Sequence, residues 1–159
     1  MIREDCTPRV VEKRGERIGV GTFGVMTITV YADPKGQGNH SISRAGIIYE
    51  ATKGHKSWRD AVTLSARETM NAMHVNTGFH MPVSVRIAFT LARPKSVKRL
   101  VPCLKPDLDK LIRSTLDALT TAGVWADDGL VCRLEASKVY PNGLGGLGVP
   151  GAIIIVNNL

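Results

Sequence analysis

The order of elements is set by one stretch: Val83-Ser84-Val85-Arg86-Ile87-Ala88-Phe89-Thr90, a basic loop, then Lys105-Pro106-Asp107-Leu108-Asp109-Lys110-Leu111-Ile112-Arg113, closing at Gly123-Val124-Trp125-Ala126-Asp127-Asp128. In its first eight residues apolar side chains alternate with smaller or polar ones, the period-2 pattern of a half-buried strand. Pro94 closes that strand into the loop. After Pro106, Leu108, Leu111, Ile112, Leu116 and Leu119 recur at helical spacing and form one continuous apolar stripe, which Gly123 ends. From Leu130 to Val139 the alternation returns. Strand, helix and strand in that order lead to a parallel pair, because a crossover helix carries the chain back to its starting end.

Working outward, Met26, Ile28 and Val30 alternate with Thr27, Thr29 and Tyr31 as an earlier strand. Pro34, Gly36 and Gly38 punctuate a loop carrying Lys35, Asn39 and His40, and Ile47 to Tyr49 is expected to return as the second arm of a hairpin. Ser57 followed by Asp60 resembles a capping box, so a helix is expected to start at Trp58, with Trp58, Ala61, Val62, Ala66, Met70 and Met73 as its buried face and its end before Gly78. Ala152 to Val156 is a short buried strand whose expected partner, the Leu130 to Val139 strand, is reached across a glycine-rich loop. The expected fold is α/β in the α+β sense: a single domain at residues 23–159, with a mixed sheet and two main helices packed on one face, after a polar arm at residues 1–22.

Composition bounds the chemistry. The chain has 159 residues, 21 Lys plus Arg against 14 Asp plus Glu, and a net charge of +7, so an anionic partner is expected. The charge is uneven: residues 1–106 hold 17 basic and 8 acidic side chains, residues 107–159 hold 4 and 6. Between Arg93 and Lys105 lie Arg93, Lys95, Lys98, Arg99 and Lys105 with no acid, directly ahead of Asp107 and Asp109. A solvated loop accounts for such a run taken alone; its place beside the acids favours phosphate binding. Cys6, Cys103 and Cys132 are odd in number and share no metal-binding spacing, which argues against a disulfide framework and a zinc knuckle and for a reducing cytoplasm. No apolar run suits a signal peptide or a membrane span. Aromatic residues make up 5%, too few for a stacking platform on single strands.

Gly143, Gly145 and Gly148 spell G-x-G-x-x-G, but a strand rather than a helix follows, so the letters describe a hairpin loop and not a nucleotide site. His40, His55, His74 and His80 have no spacing that gathers three ligands. What remains is acidic: Asp107, Asp109, Asp117, Asp127 and Asp128 within 22 positions. Asp107 and Asp109 stand where a helix begins, and Asp127 and Asp128 lie in the turn behind it, with Trp125 anchoring that turn in the core. Gathered carboxylates repel one another unless a cation sits among them, and hard oxygen ligands without Cys or His select Mg²⁺ or Mn²⁺. Such a centre suits phosphodiester hydrolysis. By spacing alone two other readings stand: Asp107 as N-cap with acids suited to the helix dipole, and ordinary surface carboxylates.

At these residues the chain resembles the RusA family of Holliday junction resolvases, common in phages and prophages. Lys105-Pro106-Asp107-Leu108-Asp109, Asp117-Ala118-Leu119 and Gly123-Val124-Trp125-Ala126-Asp127-Asp128 follow that family's K-P-D-x-D-N-L, D-A-L and G-x-W-x-D-D at matching intervals, and Arg93-Pro94-Lys95-Ser96 is similar to a basic loop found upstream in such proteins. The resemblance implies that Asp107, Asp109 and Asp128 bind a catalytic Mg²⁺, replaceable by Mn²⁺, with Asp127 beside them. With branched DNA as the partner, the basic side chains expected to contact it are Lys35, Arg93, Lys95, Lys98, Arg99, Lys105 and Lys110. The resemblance also implies a homodimer that nicks opposing strands of a four-way junction in the cytoplasm, a two-fold enzyme for a two-fold substrate. Arg113 stands where the family has a catalytic lysine; it can stabilise a charged transition state but is a poor proton donor. Lys110 replaces the family's asparagine and Leu130 its glutamine, so a branched-DNA-binding protein with a weakened site is the alternative. A phosphatase using Asp107-Leu108-Asp109 ranks last, because Lys105-Pro106 rather than an apolar strand precedes the motif.

Overall fold

The computed structural model describes residues 24–36, 40–42, 48–50 and 55–159. The polar arm at residues 1–22 lies outside them. Strands β1 (Val25–Val30), β2 (His40–Ile42), β3 (Ile48–Glu50), β4 (Val83–Thr90), β5 (Val131–Val139) and β6 (Gly151–Asn158) alternate with helices α1 (His55–Ala72) and α2 (Leu108–Ala122); a single 3-10 turn at Asp128–Leu130 precedes β5. The main sheet has the order β1-β6-β4-β5, with β4 and β5 parallel and the other pairs antiparallel. It is a mixed sheet in one α+β domain, as expected, and the strand–helix–strand unit β4-α2-β5 pairs in parallel.

Register turns alternation into a core. Met26, Val156 and Val85 lie opposite one another, as do Ile28, Ile154 and Ile87, and Val30, Ala152 and Phe89, giving three rows on one face of the sheet. All nine side chains are buried. Both helices cover that face: Trp58, Val62 and Ala66 from α1 and Leu111, Ala118 and Leu119 from α2 join the same cluster. Where the helices meet, Trp58 Nε1 donates to Thr115 Oγ1 (3.3 Å), which itself donates to the Leu111 carbonyl (2.9 Å), so a buried indole N–H finds an acceptor inside the core. The Ser114 hydroxyl, also fully buried, has no partner among the described residues.

Each helix ends in the same way. His74 (φ 55°) and Gly123 (φ 87°) adopt the left-handed conformation. Val75 N–H then reaches the Met70 carbonyl and Val124 N–H the Leu119 carbonyl, with an apolar pair closing each motif. Gly78 fits against the second of these ends so closely that a Cβ there would lie 2.3 Å from the carbonyl oxygens of Gly123 and Val124.

Several expectations are corrected. Helix α1 starts at His55, so Ser57 lies within its first turn and does not cap it, and Met73, beyond the helix end, is 39% exposed rather than core. The return strand at Ile48–Glu50 pairs with His40–Ile42, a segment read as loop, and not with β1. The partner of β1 is β6, which also pairs with β4 and has no ladder with β5. The physical reason lies in composition: Ala152 to Val156 is apolar on both faces and belongs between two strands, whereas β5 is largely exposed and suits an edge. The glycine-rich loop passes into β6, with Thr90 Oγ1 accepting from Leu147 N–H (2.8 Å), and has the geometry of a connection rather than of a phosphate cradle.

Candidate active site

Asp107 occupies the residue before α2 with extended backbone (φ −69°, ψ 140°), yet its carboxylate makes no capping hydrogen bond. The N-cap explanation for this aspartate therefore fails at the side chain. Its partner is Lys110 Nζ, 3.6 Å from Oδ2. Asp109 in the first turn is exposed, and no partner is seen for it among the described residues. Arg113, one turn on, is also exposed and forms no ion pair among the described residues; Asp117, which might have held it, lies 3.9 Å from Arg59 on α1 instead.

The approach to Asp107 is basic. Lys138 on β5 donates to the carbonyls of Leu104 (2.8 Å) and Pro106 (3.0 Å), clamping the segment that delivers Asp107. The Lys105–Pro106 peptide is cis. A cavity of about 300 Å³ beside this segment is lined by Lys35, Arg99, Lys105, Tyr140 and Pro106 among others. Lys35 pairs with Asp33, and Gly36 sits so near the first turn of α2 that a Cβ would come within 2.9 Å of Lys110 Cβ; the loop after β1 is thereby held at the site. A hydrogen bond with Tyr140, followed by the influence of Cys103, raises the Arg99 pKa further. Arg93 is differently engaged: it donates to the carbonyls of Val97 (3.1 Å) and Lys98 (3.0 Å) and lies over the Tyr140 ring at 5.4 Å, so it braces the loop. Lys95 and Lys98 are exposed.

Asp127 and Asp128 are elsewhere. Asp127 Oδ1 accepts from Gly129 N–H (2.7 Å), and Trp125, 1% exposed, donates to Thr120 Oγ1 (2.8 Å), anchoring the turn as its position suggests. This turn adjoins the start of β5, where Val131 pairs with Val83, whereas Pro106, the residue before Asp107, is tied to Lys138 at the far end of the strand. Seven strand residues separate those ends by ~23 Å. The helix tells the same story, since thirteen residues from Asp109 to Ala122 rise ~20 Å. Among the described residues no three His, Cys, Asp or Glu side chains are close enough to hold a metal ion. A magnesium ion holds its oxygen ligands at ~2.1 Å, so Asp107, Asp109 and Asp128 of one chain do not fit one ion. The expectation that the helix start and the turn behind it converge within the chain is not met among the described residues: the fifteen residues of α2 lie between the two groups.

Lys138 is the site residue that reading the chain overlooked. Its signal was present: it shares parity with Leu134 and Ala136 in the strand, placing a cation on the face that otherwise carries apolar groups. Tyr140, which contacts both Arg93 and Arg99, had no such signal.

No helix among the described residues is long and apolar enough to cross a membrane. A family model described as Endodeoxyribonuclease RusA matches residues 32–149, a span that contains the basic loop and both aspartate pairs. A relative named Crossover junction endodeoxyribonuclease RusA, from Escherichia coli O139:H28 (strain E24377A / ETEC), is 41% identical over 84 residues, 53% of this chain and 59% of that protein. The chain thus spans 59% of the length of the curated relative it matches.

Proposed function

Because the chain belongs to the RusA family of endodeoxyribonucleases, we propose that it is a structure-selective endonuclease that resolves Holliday junctions or other branched DNA by paired symmetric nicks, acting as a cytoplasmic homodimer and depending on Mg²⁺, with Mn²⁺ as a substitute. The observation that carries this reading is the first turn of α2. It presents Asp107 without a backbone cap, Asp109 without a partner and Arg113 without an ion pair among the described residues, beside a cavity edged by Lys35, Arg99 and Lys105. Asp109, exposed and without a partner among the described residues beside Asp107, next to a basic cavity rim, supports a place where a phosphate and its counter-charge are both received.

The roles follow from placement. Lys35, Arg99 and Lys105 receive backbone phosphates, with Lys95 and Lys98 extending the same surface. Binding then releases counterions and weakens with salt. Arg93 holds the loop in shape through Tyr140. Arg113 offers bidentate, permanently charged hydrogen bonds to a phosphate in transition and no proton. The nuclease domain is taken as residues 23–159, with residues 1–22 as an arm.

Lys110 supports a second reading, a branched-DNA-binding protein with a weakened site, because its ammonium already neutralises Asp107. One experiment separates the two. A labelled four-way junction is incubated with wild type and Asp109→Asn, with Mg²⁺, Mn²⁺ or chelator. Symmetric nicks in metal only, lost in Asp109→Asn, establish the nuclease. Tight, salt-sensitive binding with no nick in either cation establishes the second reading.

A further inference from the structure

The loop between β4 and α2 carries apolar side chains that phosphate binding leaves unused. Leu100, Val101 and Leu104 are 84%, 61% and 64% exposed, and nowhere else among the described residues do three large apolar side chains this open to solvent fall within five positions. Single exposed apolar residues are ordinary, whereas a cluster rimmed by charge marks a contact surface. The rim has one sign: Arg93, Lys95, Lys98, Arg99 and Lys105 flank the cluster, and no acid interrupts them. We infer that Leu100 and Val101 form a wedge that packs against the open face of a base pair at a DNA branch point. The aliphatic tip then selects branched DNA over linear duplex, while the cations around it hold phosphates. The inference rests on the branched-DNA nuclease reading above and goes beyond it in naming the side chains that make the selection.

A wedge needs a fixed support, because ordering a loose loop on binding would offset the contact it makes. Both sides of the tip are tied down. On the β4 side, Val97 N–H donates to the Pro94 carbonyl (3.0 Å), and Arg93, lying over the Tyr140 ring, holds the carbonyls of Val97 and Lys98. On the α2 side, Lys138 holds the carbonyls of Leu104 and Pro106. Across the tip, Arg99 Nη1 donates to Cys103 Sγ (3.4 Å), leaving residues 100–102 as the bend between them. Leu100 and Val101 thus stand at the closed end of a braced loop with their side chains in solvent.

The selection follows from what each substrate offers. Along a duplex the base faces are stacked on one another, and an aliphatic group enters only by unstacking a step. Where arms diverge, a pair lacks one stacking neighbour and is opened at less cost. Phosphates are common to both substrates and do not tell them apart. Because the loop runs directly into Asp107, a tip seated at the branch leaves the start of α2 beside the neighbouring phosphodiesters.

The test uses the full-length protein in chelator, with a four-way junction and a linear duplex carrying 2-aminopurine at the branch or at the equivalent position. Wild type should prefer the junction and raise the fluorescence of the branch base only. Leu100→Ser/Val101→Ser should lose that rise and reduce the junction-over-duplex preference by roughly tenfold, the scale of one buried leucine. Its dependence of log Kd on log salt should stay as in wild type, since no charge is removed. Leu100→Met, which keeps an apolar tip, should retain most of both effects. Lys98→Ala should do the reverse, weakening both DNAs alike and flattening the salt dependence while the fluorescence rise remains. Preference and rise retained in the double variant overturn the inference. So does a fall in its oligomeric mass by sedimentation with selectivity intact, which would make the tip a seat for a second copy. Adding Mg²⁺ or Mn²⁺ to wild type separates the two readings: nicks without a fluorescence rise refute the wedge and leave the nuclease, whereas a rise without nicks refutes the nuclease and leaves the wedge. Absence of junction preference in wild type refutes the wedge whether or not nicks form.

Discussion

Replacing Lys138 by methionine tests how Asp107 is delivered to the site. The ammonium joins β5 to the carbonyls of Leu104 and Pro106 at 2.8 and 3.0 Å, across more than thirty residues of chain. Methionine keeps most of the aliphatic stem and removes the charge and the donors. Hydrogen bonds from charged groups contribute about 1.5–3 kcal/mol when well shielded, but one of these is exposed and the other half-buried, so screening reduces the pair to ~1–2 kcal/mol. For a chain of this length that is a fall in melting temperature of roughly 2–8 °C. Trp58 and Trp125 are both buried and report unfolding by fluorescence. The second effect is local. With the clamp gone, residues 104–107 lose their tie to the sheet, and junction cleavage should fall by about tenfold, as for a ~1.4 kcal/mol loss of positioning, while junction binding changes less than twofold. Lys138→Arg, which restores donors, should recover part of both. Full activity and unchanged melting in Lys138→Met would refute the argument that this lysine organises the approach to Asp107.

Further outcomes are expected at four places in the fold. Ser114→Ala removes a buried hydroxyl that has no partner and should be neutral or raise stability by up to ~1 kcal/mol in chemical denaturation. Gly78→Ala places a methyl group against the Gly123 and Val124 carbonyls and should destabilise by about 1–3 kcal/mol by thermal melting; Gly123→Ala strains only the left-handed turn and should cost less, about 1 kcal/mol. Thr115→Val strands the Trp58 indole N–H, with an expected loss of ~1–3 kcal/mol. Lys35→Ala should weaken junction binding and flatten its dependence on log salt by roughly one phosphate contact, read by titration at several ionic strengths.

Strands β1, β4 and β6 and helix α2 were legible because each presents its own periodicity, and a half-buried element must show its burial in the spacing of apolar residues. The family was legible for a different reason, since the acidic motifs lie close together along the chain. Less could be read where partners are remote. Ile153 and Ile155 suggest only that β6 is covered on both faces; that β1 and β4 flank it depends on two strands more than sixty residues upstream. His40–Ile42 shows no distinct alternation because a three-residue strand is too short to show one.

The carboxylates mark the boundary most clearly. Residue type and spacing by themselves determined that Asp107, Asp109, Asp127 and Asp128 are the chain's unusual charges, that a basic loop precedes them and that a helix begins at the first pair. Where those charges stand in space was decided by tertiary structure. A fifteen-residue helix packed on the sheet carries the second pair away from the first, and closeness along a chain says nothing about closeness in space once a helix of that length intervenes.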